Sequence, residues 1–119
     1  MTSRSLRARR ARVLLSVSLA LAALLGACAP ALPQPSADDA RAATARYHDV
    51  TLAELEAGRS AYVSRCSQCH NLFDPRDRTA AAWPAIVKDM GARGNLDAAD
   101  LQKIERYVVT MSEHGPAKL

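Results

Sequence analysis

The residues best able to do chemistry stand together in one run, Cys66-Ser67-Gln68-Cys69-His70. Two thiols with two residues between them, followed at once by an imidazole, have the spacing of c-type haem attachment. Each thiol can add to one haem vinyl group as a thioether, and the two-residue gap lets both sulfurs reach the same edge of the ring. The next side chain then presents its imidazole to the iron as proximal ligand. A Cys-x-x-Cys pair by itself is shared by redox dithiols and by half of a zinc site. Here the chain has three cysteines, and the third, Cys28, is isolated, so no second pair completes a four-ligand zinc site. A thioredoxin-like dithiol calls for a βαβ setting, and no strand pattern lies near the motif. A Cys66–Cys69 disulfide would close a tight, strained loop and remove little loop entropy.

Three helical patterns position this motif. The first opens at Thr51, with Glu54 at capping-box spacing, and carries Leu52, Leu55, Tyr62 and Val63 on one side as far as Cys66. The second is short: Trp83, Ile86, Val87 and Met90 follow i, i+3, i+4, i+7, Pro84 sets a start two or three residues before itself, and Gly91 is the expected stop. The third begins near Asp97, between the staple residues Leu96 and Leu101, with Asp100 in place of the capping-box Glu. Its stripe is Leu101, Ile104, Tyr107, Val108 and Met111. No alternating pattern competes, and the expected fold class is all-α.

The chain's 119 residues suit one domain behind an export signal. Five Arg fall within the first twelve residues, and residues 13–27 carry no charge. Fifteen uncharged residues are fewer than the roughly 20 of a membrane-spanning helix, and with small residues at their end they read as a secretory signal. Leu25-Gly26-Ala27-Cys28 resembles the lipobox of bacterial lipoproteins, in which the Cys is acylated and becomes the mature N-terminus. The alternative is an ordinary signal with a chance Cys beside its cleavage site. Ala29, rather than Asp, after the Cys resembles lipoproteins sorted to the outer membrane.

Cutting before Cys28 removes 27 of 119 residues and leaves 92. It also removes five of 16 Lys and Arg, so 11 basic residues face 12 acidic ones, a net of −1. The basic balance thus belongs to the signal, and nothing remains to draw the chain to nucleic acid. Residues 28–48, rich in Pro and Ala without apolar periodicity, read as a flexible tether. The folded domain is then 49–119. With one Phe, one Trp and at most three Tyr it has a thin core, which calls for something besides side chains to fill it.

Residues 51–112 resemble a small monohaem class I cytochrome c. Gly58 and Tyr62 stand eight and four residues before Cys66, where that family has a Gly and an aromatic on its N-terminal helix. Tyr107 matches the aromatic that crosses there on the last helix. The resemblance implies three main helices wrapped around one covalently bound haem c, with Cys66 and Cys69 as attachment points and His70 on the iron. Pro75, five residues past His70, is in the neighbourhood where the family uses a Pro carbonyl to hold the proximal imidazole N–H. The family's Met-Pro dipeptide is absent, so the sixth ligand must be found elsewhere. Met90, in the prelude to the last helix, is the candidate, against the alternative that it is a core Met. Met111, far along that helix, reads as core, and His48 and His114 as solvated.

Trp83, Leu72, Phe73 and Val87 are candidates for the pocket wall, and Lys88, Arg93 and Arg106 for the haem propionates. With both axial positions taken the iron is closed to substrate, and no nucleophile–base or carboxylate pair is present. The expected function is one-electron transfer, not enzyme catalysis, with periplasmic or membrane redox proteins as partners. Two alternatives stand: a haem c subunit of a larger oxidoreductase, and a five-coordinate protein that binds a small gas. The expected location is the periplasmic face of a bacterial membrane, lipid-anchored through Cys28.

Overall fold

The computed structural model describes residues 32–115. Among these the chain is all-helical, with α1 (Ala37–Ala43), α2 (Leu52–Ala61), α3 (Trp83–Arg93) and α4 (Ala98–His114), and it has no strand. Residues 1–27 and Cys28, read as signal and lipid site, lie outside the described residues. No described helix is long and apolar enough to cross a membrane.

The longest described helix, α4, is the centre of the fold. Its stripe of Ile104, Tyr107, Val108 and Met111 is almost wholly buried, as the 3.6-residue period requires of a helix packed on several sides. α1, α2 and α3 all pack against it. At the α2–α4 crossing, a Cβ on Gly58 would overlap the Lys103 carbonyl oxygen and lie 2.8 Å from Tyr107 Cβ. The bare backbone therefore permits the close approach, as expected for Gly58 and Tyr107. One turn on, the ring of Tyr62 lies 6.0 Å from that of Tyr107 and meets Trp83 edge-on at 6.2 Å. Such aromatic pairs add about 0.5–1.5 kcal/mol each beyond their buried area.

The helix starts are half as expected. Thr51 Oγ1 accepts from Glu54 N–H, and Asp97 accepts from Asp100 N–H. The return bonds are replaced by tertiary ones: Glu54 takes Arg106, and Asp100 takes Arg65.

Two expectations need correction. The flexible tether over 28–48 is, from Leu32 on, packed chain. Ser36 and Asp39 form a complete capping box for α1, and Ala40 and Ala43 are buried with Val50 and Leu55. Residues too small to make a core of their own find one against α2 and α4. Gly91 is not the end of α3. The helix runs to Arg93 and closes in a Schellman turn, with Leu96 N–H on Gly91 carbonyl at 2.9 Å and Asn95 N–H on Ala92 carbonyl at 3.4 Å. Asn95, at φ 50°, takes the left-handed position that terminates it. Gly91 is instead small for packing, since a Cβ there would run into the side chain of Leu101.

Candidate functional site

α2 does not stop at Ala61. It continues as one turn of π-helix, Tyr62–Cys66, and delivers Cys66 at its last residue. Such turns are rare, and they concentrate at functional sites because the wider turn re-aims side chains. Gln68 Nε2 donates to Ser64 carbonyl at 2.9 Å and ties the Cys-Ser-Gln-Cys loop back onto this turn. Further along, Tyr62 hydroxyl donates to Phe73 carbonyl at 2.8 Å, and Trp83 Nε1 donates to Pro75 carbonyl at 2.9 Å. Asp74 and Arg76 pair through two nitrogen–oxygen contacts around the 3₁₀ turn Pro75–Asp77. The loop is thus pinned to the aromatic core at both Phe73 and Pro75.

His70 has one ring nitrogen committed. Its Nδ1 lies 2.7 Å from Asn71 carbonyl oxygen. A carbonyl only accepts, so Nδ1 carries the proton and Nε2 is left with its lone pair free for a metal. The resemblance placed this duty on Pro75. The Pro75 carbonyl serves Trp83 instead, because the indole is buried and needs an acceptor.

Cys66, Cys69, His70 and Met90 all border one cavity of about 400 Å³. Residues from the π-turn, the motif loop, α3, the 94–96 turn and α4 enclose it. Its wall is mainly apolar: Trp83, Val87, Ile86, Leu96, Leu101 and Ile104, with Phe73 at the side. A volume of this order is what a bound cofactor occupies, within the range of about 300–1,000 Å³ for such sites. Cys66 is half-buried, whereas Cys69 and His70 are exposed, and both thiols are free. Burial, followed by the neighbouring Cys69, pushes the Cys66 thiol up from its ordinary value. Among the described residues no three His, Cys, Asp or Glu side chains gather to hold an ion by themselves.

Of the expected wall residues, Trp83, Phe73 and Val87 border the cavity, while Leu72 packs against the core behind it. Phe73 is 48% exposed and Met90 38%, so both stand at the rim. Met111 is fully buried in the core, and His48 and His114 are exposed. Of the expected cationic partners only Arg93 borders the cavity, where it also pairs with Asp89 at 3.1 Å. Lys88 does not line it. Arg106 is held between Asp49 at 3.0 Å and Glu54 at 2.6 Å, over the Tyr47 ring, where it fastens the 32–50 segment to α2 and α4. The sequence reading missed Arg65, which borders the cavity and pairs with Asp100 at 3.2 Å. Its place directly before Cys66 was the available signal. In comparisons with known proteins the chain matches no family model, no curated protein and no solved structure.

Proposed function

We propose that this chain is a one-electron carrier of class I cytochrome c type, with a single haem c bound covalently through Cys66 and Cys69. It is anchored by lipid at Cys28 on the periplasmic face of a bacterial membrane, the outer membrane being favoured. The observation that carries this reading is the convergence of Cys66, Cys69, His70 and Met90 on one apolar cavity of about 400 Å³. Those four side chains span 25 positions of sequence and come from three elements.

The donor set fits haem better than the competing uses of a Cys-x-x-Cys pair. Redox dithiols keep their nucleophilic Cys at a helix N-terminus, where the dipole lowers its pKa. Cys66 ends a helix and its thiol is pushed up. Haem supplies iron that changes between the ferrous and ferric states by one electron.

The chain's own residues do the rest. Asn71 fixes the tautomer of His70, so that Nε2 is the donor atom. The Met90 thioether would be a soft, neutral ligand to haem iron, favouring the ferrous state and raising the potential relative to bis-His ligation. Trp83, Val87, Leu101 and Ile104 keep water from the inner wall, and the loss of solvation disfavours the more highly charged oxidised state. Were His70 and Met90 both to hold the iron of a bound haem, no place would remain for a substrate, and the partners would be redox proteins.

Met90's 38% exposure favours one second reading, in which the thioether stays off the iron and a small gas takes that position. A potentiometric titration of the purified holoprotein tests the proposal. A single haem should follow a one-electron slope, about 59 mV per tenfold ratio, with little response of the reduced spectrum to carbon monoxide. A two-electron slope without haem absorbance would overturn it, and a strong carbon monoxide shift would favour the second reading.

A further inference from the structure

The packed course of residues 32–50 sets how far the fold can stand from a lipid on Cys28. Leu32 is only 8% exposed and shares the core with Tyr62, Trp83 and Tyr107. The next carbonyl, that of Pro33, accepts from the buried Tyr107 hydroxyl at 2.8 Å, and Arg59 reaches the Leu32 carbonyl at 3.5 Å. Farther on, Arg46 pairs with Glu113 at 2.5 Å and Arg106 with Asp49 at 3.0 Å, so the segment is fastened along its length.

Only residues 29–31 separate Cys28 from the buried Leu32. Four extended Cα steps span at most about 14 Å. A folded unit of this length has a diameter on the order of 30 Å. The leash is therefore about half the width of the body it holds. A free 20-residue tether would instead have a mean reach of roughly 25 Å and a far longer maximum.

We propose that the folded unit rests against the headgroups of the membrane that carries its lipid, with the end of the fold around Leu32, Pro33 and Arg59 turned to that surface. The inference rests on the lipoprotein reading of Leu25-Gly26-Ala27-Cys28. The leash, not charge, does the holding, because 11 basic residues against 12 acidic ones give no attraction to anionic lipid. An electron partner must then meet the carrier at that same surface.

Gln34 is exposed beside the buried Leu32 and Pro33, so a probe there reports the height of this end of the fold. The test uses the lipidated, haem-loaded full chain carrying Gln34→Cys with a nitroxide label. It is placed in phosphatidylcholine vesicles doped with a nickel-chelating lipid. A second protein has twenty Gly and Ser residues inserted between Pro30 and Ala31, ahead of the described residues. Nickel should relax the nitroxide several-fold more in the native-length protein than in the extended one. Equal relaxation in two proteins that both pellet with vesicles would overturn the short leash and leave the lipid reading intact. Failure of both to pellet would overturn the lipid reading, and the leash with it.

Discussion

His70 and Met90 are placed by different means, and each makes its own prediction. The imidazole is oriented by the carbonyl of the adjacent Asn71, so its donor nitrogen is set by local geometry. Met90 comes from the stripe of α3, beside Val87 and Trp83, and points to the rim of the cavity. Met90→Ala should remove the near-infrared iron–sulfur band of the ferric holoprotein, lower the potential and open the iron to external ligands. Met111→Ala should leave the band and cost about 2–5 kcal/mol of stability, because Met111 is fully buried. Loss of the band in Met111→Ala alone would reverse the assignment. Tyr62 carries a pH prediction. Burial pushes its phenol from 10.0 up to about 12, so the folded chain holds that proton more tightly than the unfolded one. The stabilisation is intact below pH 10 and is lost as the pH rises from 10 towards 12. Tyr107 is shifted the same way, for the same reason. Phenolate absorbance should therefore lag in the folded protein and appear together with loss of helical circular dichroism. Independent titration near pH 10 with the helices intact would contradict this.

The helices that hold the site divide by how their partners are encoded. Gly58 and Gly91 look alike in sequence and differ in what a methyl group would meet. At Gly58 the obstacle is the Lys103 carbonyl, backbone of α4 that cannot move without parting the helices. Gly58→Ala should cost at least the 1–3 kcal/mol of ordinary overpacking, read by urea melts of the holoprotein. At Gly91 the obstacle is the end of a flexible Leu101 side chain. Gly91→Ala should fall within about 1 kcal/mol of wild type, since the gain in helix propensity offsets the crowding. A larger loss at Gly91 than at Gly58 would contradict the packing described.

The same contrast explains what the sequence could reveal. α2, α3 and α4 were legible because Leu55, Tyr62, Val87, Ile104 and Met111 recur at helical spacing and each helix carries its own start signal. α1 was hidden because its buried face is Ala40 and Ala43, too small to mark a stripe. The Ser36–Asp39 capping box was its one local sign. The Gly94-Asn95 turn was misplaced by three residues because Gly91 is there for close packing, not for its backbone freedom. Arg106 looked like any surface cation until Asp49 and Glu54 were brought beside it.

At the scale of the whole molecule, the candidate site is local in sequence and its mounting is not. Cys66, Cys69 and His70 stand within five residues, whereas the bond of Tyr107 to the Pro33 carbonyl joins positions 74 apart. Cys28→Ser should move a haem-loaded protein from the membrane fraction to the soluble one. Identical fractionation of variant and wild type would contradict the lipid anchor. The central claim is that the two motif thiols hold haem covalently. It is tested most directly by denaturing electrophoresis of the exported protein, followed by detection of haem in the gel. Haem should migrate with the wild-type chain and be absent from the Cys66→Ala, Cys69→Ala double variant. Wild-type chain that runs free of haem, after export in cells that load other c-type proteins, would contradict the account.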